Sequence, residues 1–149
     1  MFNNQKGITL LELLTVILII VILAAISIPA WRNIQPTLDL NGSVRELITD
    51  LRYAQQLAIA EQIIYGVRFD FEENKYQIIK YKKTNGITEE IIKTKWLPPG
   101  INLEQVDNFS QAQFTPYGSV IERGEVCLVN IQNKIKTINI RPSGFVKVY

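Results

Sequence analysis

Ile8–Ile28 reads ITLLELLTVILIIVILAAISI, and every residue in it is apolar, small or hydroxylic except Glu12. A helix rises about 1.5 Å per residue, so this stretch reaches roughly 31 Å and matches a hydrocarbon core of about 30 Å. A secretory signal has a shorter apolar region closed by a small-residue cleavage site. Ala24-Ala25 imitates such a site, but the apolar run continues past it to Ile28. Lys6 on one side against Arg32 on the other gives a shallow charge asymmetry for orientation. Glu12 is the anomaly, because insertion scales assign an acidic side chain at mid-helix a penalty of roughly 2.5–3.5 kcal/mol, less near an end. Two readings are open: Glu12 snorkels to the nearby interface, or it pairs with a cation supplied from elsewhere, since no basic residue lies between it and Arg32. Pro29 and Pro36 each remove a backbone donor. They mark either a helix able to bend between them or two breakers at a membrane boundary.

The rest of the chain is that of an ordered protein. Of 149 residues 47% are hydrophobic and 20% charged, with a net charge of +2, which suits one folded unit plus an anchor. There is no histidine and a single cysteine, Cys127. Imidazole general-base chemistry, Cys/His metal clusters and an intrachain disulfide are excluded by inventory. No Gly-rich phosphate loop and no nucleophile in a recognisable spacing is present, so no cofactor and no catalytic residue is expected. Asp70, Glu72 and Glu73 lack the ligand ladder of a calcium loop and read as a solvated hairpin tip, and no metal is expected. Cys127, between Val126 and Leu128, reads as a buried small hydrophobe.

Beyond Pro36, Leu40, Val44, Leu47, Ile48, Leu51, Ala54, Leu57 and Ala58 recur at spacings of three and four and predict one apolar helical face. Arg45, Glu46, Asp50, Arg52, Gln55 and Glu61 fall mostly off it. Asn41-Gly42 is the weak point, because glycine costs about 1 kcal/mol relative to alanine inside a helix. The period then changes to that of strands: Ile63–Phe69, Tyr76–Lys82 and Thr88–Trp96, with turns near Glu73-Asn74 and at Asn85-Gly86. Short strands come next at Ile101–Leu103, Gln113–Thr115, Glu125–Asn130, Lys136–Ile140 and Phe145–Val148, punctuated by Pro98-Pro99-Gly100, Pro116-Tyr117-Gly118 and Pro142-Ser143-Gly144. The predicted fold class is α+β: a long N-terminal helix, transmembrane then amphipathic, packed on one or two small antiparallel sheets whose strands follow one another as a meander. Glu89-Glu90 is expected to face Lys82-Lys83 across the Asn85-Gly86 turn.

KGITLLEL, Lys6–Leu13, resembles the prepilin peptidase site of type IV pilins and type II secretion pseudopilins. The later stretches LITDLRYAQQLAIAEQIIYGVRFD, QFTPYGSV and INIRPSGFVKV are similar to the GspH/FimT group of minor pseudopilins and minor pilins. They carry Arg52, Ala54 and Ala58 in the helix, Phe114, Pro116 and Gly118 in a turn, and Gly144 in the terminal strand pair. The chain also lacks the carboxy-terminal cysteine pair common in major type IV pilins. The resemblance implies a pilin-like fold with a leader over 1–7, a transmembrane helix over 8–29, an amphipathic helix over 30–61 and a β-domain over 62–149. It implies cleavage by prepilin peptidase between Gly7 and Ile8, methylation of the new amino group on Ile8, and pairing of Glu12 with the amino terminus of a neighbouring subunit. The family usually begins its mature chain with Phe or Met, so Ile8 is a departure that bears on processing. The implied partners are the peptidase, other pilin or pseudopilin subunits and the cytoplasmic membrane. The implied location is a single pass in that membrane with the C-terminal domain outside the cytoplasm, then a pilus or pseudopilus.

Lys80, Lys82, Lys83, Lys93 and Lys95, with Tyr76, Tyr81 and Trp96 interleaved, carry two readings. One is a solvated hairpin face. The other is DNA contact, lysines meeting phosphates and rings stacking on bases, which some relatives of the FimT kind keep open through DNA uptake.

Overall fold

The computed structural model describes residues 9–83 and 87–149, without the side chains of residues 29, 30, 83 and 87. The chain divides into two compact units, the second being Pro36–Tyr149, and a helix α1 (Leu10–Glu61) contributes to both. Neither Pro29, Pro36 nor Asn41-Gly42 ends it.

In the first unit, Leu10–Ile28 exposes apolar side chains all round, with none buried by the chain itself. A helix that is hydrophobic on every face needs an apolar medium or partner helices. Its hydroxyls are tied back to the backbone: Thr15 Oγ1 donates to Leu11 O (3.0 Å) and Glu12 O (2.8 Å), and Ser27 Oγ to Leu23 O (2.8 Å). No water is then needed to satisfy them.

In the second unit, α1 buries Leu40, Val44, Leu47, Leu51, Ala54 and Ala58, the stripe its spacing predicts. Ala54 and Ala58 are fully buried, and their small side chains let strands approach closely. A Cβ on Gly42 would meet nothing, so packing does not require a glycine there. The glycine cost of about 1 kcal/mol is smaller than the roughly 1.5–3 kcal/mol gained by burying each of Leu40 and Val44 beside it.

Among the described residues eight strands come after the helix, each starting and ending within two residues of the bounds expected from alternation: β1 (Ile64–Asp70), β2 (Lys75–Lys83), β3 (Ile87–Trp96), β4 (Ile101–Gln105), β5 (Gln111–Phe114), β6 (Gly124–Asn130), β7 (Ile135–Ile140) and β8 (Val146–Val148). They do not form one meander. They make two antiparallel four-stranded sheets in the orders β3-β2-β1-β5 and β4-β6-β7-β8. β1 is buried almost continuously from Tyr65 to Phe69, as a strand covered on both faces must be. Its second edge is taken by β5, which supplies Ala112 and Phe114 opposite Val67 and Tyr65. β4, with Ile101 and Leu103 buried, leaves to pair with β6. The β2–β3 hairpin turn at Asn85-Gly86 lies outside the described residues.

Both sheets contribute to the apolar core: Tyr65, Val67, Tyr76 and Ile78 from the first, Leu103, Val126, Leu128, Ile138 and Ile140 from the second. Between β4 and β5, Phe109 turns inward to lie 6.0 Å from the Phe69 ring, over Gly124, where any Cβ would overlap it. Buried Asn130 ties the β6–β7 turn to the helix. Its Nδ2 donates to Pro36 O (3.1 Å) while its Oδ1 accepts from the Gln132 and Lys134 amides. Cys127 is buried, its Sγ 3.2 Å from Thr137 Oγ1.

Candidate functional sites

Glu12 is the third residue of α1, and Thr9 stands before the first. The Glu12 amide donates to Thr9 Oγ1 (3.2 Å), and Thr9 O accepts from the Glu12 and Leu13 amides (3.1 Å each). Thr9 is therefore the N-cap, and Thr9-x-x-Glu12 has the spacing of a capping box, a signal present in the sequence but masked there by the apolar run around it. A carboxylate in the first turn gains about 0.3–1 kcal/mol from the helix dipole. That offsets part of an insertion cost that is roughly 2.5–3.5 kcal/mol at mid-helix and less this near the end. Glu12 still calls for a cation, and among the described residues it has no ion pair. Gly7 and Ile8 lie outside the described residues.

The lysines of the β2–β3 hairpin are brought together with acids. On the helix, Glu46, Asp50 and Glu61 are four and eleven residues apart and share one line along its flank. Lys95 reaches Glu46 (2.6 Å), Lys93 reaches both oxygens of Asp50 (2.7 and 2.8 Å), and Lys80 pairs with Glu61. These hydrogen bonds raise Lys95 and Lys80 above the ordinary ammonium value, and the bond from Lys80 holds Glu61 below the ordinary carboxylate value. Lys82 pairs with Glu90 (2.5 Å), which is lowered in turn. Among the described residues Glu89 meets no lysine. It accepts from Arg68 of β1 (2.6 Å), reaching across β2, and its hydrogen bond raises the guanidinium. The side chain of Lys83 lies outside the described residues.

Asp50 differs from its neighbours in being buried. Tyr76 Oη donates to it (2.8 Å), and burial, with that bond, pushes the Tyr76 phenol far above its usual value. Of the aromatic rings interleaved with the lysines, Tyr76 is buried and Tyr81 donates to Gln111 Oε1 (3.1 Å), leaving Trp96 exposed with Lys75 Nζ 4.9 Å from its ring. Lys75 also occupies the acidic hairpin tip, 3.5 Å from Asp70 and paired with Glu73. Asp70 Oδ1 accepts from the Glu73 amide (3.0 Å), the main reason its carboxyl is lowered. Among the described residues no group of three acidic or sulfur ligands is placed to hold a metal.

The three later motifs converge. Gln55, between Ala54 and Ala58 of the helix motif, donates from Nε2 to Gly118 O (2.6 Å). Gly118 has φ +83° and closes its turn by donating to Thr115 O (2.9 Å). Gly144, φ +78°, lies against both, where any side chain would overlap Gly118 O and Gln55 Nε2. The Val120 amide donates to Pro142 O (2.9 Å), and Val120 bridges to Phe114, so the two glycine turns join the sheets at this point.

Comparison with known proteins bears on both ends of the chain. Residues 2–28 match the prokaryotic N-terminal methylation motif. No curated protein sequence matches the chain. Its fold is similar to that of the minor pseudopilin EpsH from the type 2 secretion system of Vibrio cholerae, with a TM-score of 0.61 and 14% identity over 74% of this chain and 96% of that one. It is also similar to the type IV minor pilin FimU of Pseudomonas aeruginosa, with a TM-score of 0.61 and 12% identity over 76% of this chain and 90% of that one. The chain thus carries an N-terminal methylation motif that runs into the start of a long helix, which is followed by two antiparallel sheets in a type IV pilin-like fold.

Proposed function

We propose that the protein is a structural subunit, a minor pilin or pseudopilin of a type IV pilus or type II secretion filament, seated at or near its tip. It waits in the cytoplasmic membrane as a single pass with Pro36–Tyr149 outside the cytoplasm. A prepilin peptidase cuts between Gly7 and Ile8 and methylates Ile8, so the chain is a substrate of enzymes rather than an enzyme. The observation that carries this reading is Glu12, a carboxylate within a methylation motif and an otherwise apolar span, without an ion-pair partner among the described residues. The cut creates a cation. Pairing Glu12 with the amino terminus of a neighbouring subunit offsets the burial of both charges and sets the register between the two helices.

The basic hairpin supports a structural reading over a DNA-binding one. Lys80, Lys82, Lys93 and Lys95 are each held by a carboxylate, and Tyr76 and Tyr81 are turned to internal partners. Two measurements test the proposal. Protein recovered from its native membrane should begin at methylated Ile8 by intact mass and amino-terminal sequencing, and a retained Met1–Gly7 would defeat the processing step. Glu12→Ala should leave Pro36–Tyr149 folded yet absent from purified filaments; undiminished incorporation would defeat the pairing.

A further inference from the structure

The apolar span ends at Ile28, and the next helical turn carries an aromatic ring and a cation. Trp31 is 66% exposed, and Arg32 beside it has no ion pair among the described residues. Ser27, Ile28, Trp31, Arg32 and Gln35 line a shallow, open groove on one helical face. The Ser27 hydroxyl is committed to Leu23 O, so the groove's membrane end offers no free donor. Its far end offers the indole N–H and the guanidinium.

Distance along the helix decides what this groove meets. At about 1.5 Å per residue, Trp31 and Arg32 lie roughly 4.5 and 6 Å past Ile28. A headgroup layer is about 5–7 Å thick on each side of the hydrocarbon. Both side chains therefore fall inside it once the span is centred. Indole rings favour that layer, apolar face inward and N–H toward water, and a guanidinium offers a planar fork of donors that fits a phosphate. We propose that Trp31 and Arg32 form a lipid anchor, with Arg32 binding a phospholipid phosphate while Trp31 sits at the acyl boundary, and that this pair fixes how deeply the subunit rests in the membrane. The inference rests on the proposed membrane insertion and adds the residues that set the depth.

Trp31 and Trp96 are the chain's two tryptophans, so the full chain carrying Trp96→Phe reports on Trp31 alone. It is reconstituted in phosphatidylcholine/phosphatidylglycerol vesicles containing lipid brominated either near the carbonyls or near the chain ends. The expected result is blue-shifted emission, quenched more strongly by the shallow bromine. Adding Arg32→Glu should shift the emission to the red and abolish the shallow preference, while the chain still floats with the vesicles. A floating chain quenched more by the deep bromine, or by neither, overturns the anchor. Unchanged emission and quenching in Arg32→Glu overturns the role of Arg32. A chain that does not float overturns the membrane insertion and the anchor with it.

Discussion

Replacing Gly144 with alanine tests whether the two glycine turns and the helix are one joint. The residue has φ +78°, where an alanine costs about 1–2 kcal/mol. Its Cβ would fall far inside the 3.0 Å limit from both Gly118 O and Gln55 Nε2. Gly118 O cannot withdraw without stretching its 2.6 Å bond from Gln55, a loss of about 0.5–1.5 kcal/mol, and forced overpacking adds about 1–3 kcal/mol. Allowing for relaxation at the upper end, the sum is about 2.5–5 kcal/mol. A unit the size of Pro36–Tyr149 unfolds with an entropy of roughly 0.24 kcal/mol/K, so the melting temperature should fall by roughly 10–21 °C. The assay is near-UV circular dichroism of that unit on heating, checked by urea titration. Gly42→Ala is the internal control, because its Cβ meets nothing, and it should stabilise by about 1 kcal/mol. Gln55→Ala removes one of the two overlaps, so the double variant with Gly144→Ala should cost less than the two singles added. A Gly144→Ala unit within about 1 kcal/mol of the parent, or strict additivity with Gln55→Ala, would refute the joint.

Asp50→Ala should destabilise the unit by about 1–3 kcal/mol in urea titration, because it leaves the buried Tyr76 hydroxyl without its acceptor; the penalty should shrink in a Tyr76→Phe background. On the acid side, Glu61, Asp70 and Glu90 are lowered, so the stability they contribute is present above their ordinary values of 4.5, 3.8 and 4.5 and is lost as pH falls through the lowered ones. On the alkaline side, Tyr76 is raised above 10.0, so the unfolded chain releases that proton first and stability falls as pH rises past 10.0. A melting-temperature profile against pH should show both flanks, and Tyr76→Phe should lessen the alkaline one.

The elements were legible in the sequence because each is a local pattern. Leu40, Val44, Leu47 and Leu51 announce a helical face, and alternation between Pro and Gly breaks announces each strand. The hairpin pairs β1–β2 and β2–β3 and the terminal pair β7–β8 were legible from their turns, but the partners of β4 and β5 were not. β5 returns to β1 because Val67 and Tyr65 need cover on their open edge, a demand visible only once β1 has a place in the sheet. Charge behaved the same way. Lys80, Lys93 and Lys95 stand out as a basic cluster, and Glu46, Asp50 and Glu61 as a polar flank, but only the sheet laid along the helix turns them into pairs. Glu12 was legible as an anomaly from composition alone, whereas its N-cap, Thr9, was hidden by the apolar run around it and shows only in the structure.

The split of the strands between two sheets orders events during synthesis. β1, β2 and β3 need nothing beyond Trp96 to pair with one another, so the first three strands can close while the rest of the chain is still emerging. β4 emerges next and must wait, because its partner β6 begins only at Gly124. Meanwhile the free edge of β1 waits for Gln111–Phe114. The nascent protein thus passes through a stage with two unsatisfied strand edges, the stage at which intermolecular strand pairing threatens most. Delivery of residues 97 to 140 is therefore the vulnerable interval in the life of this chain.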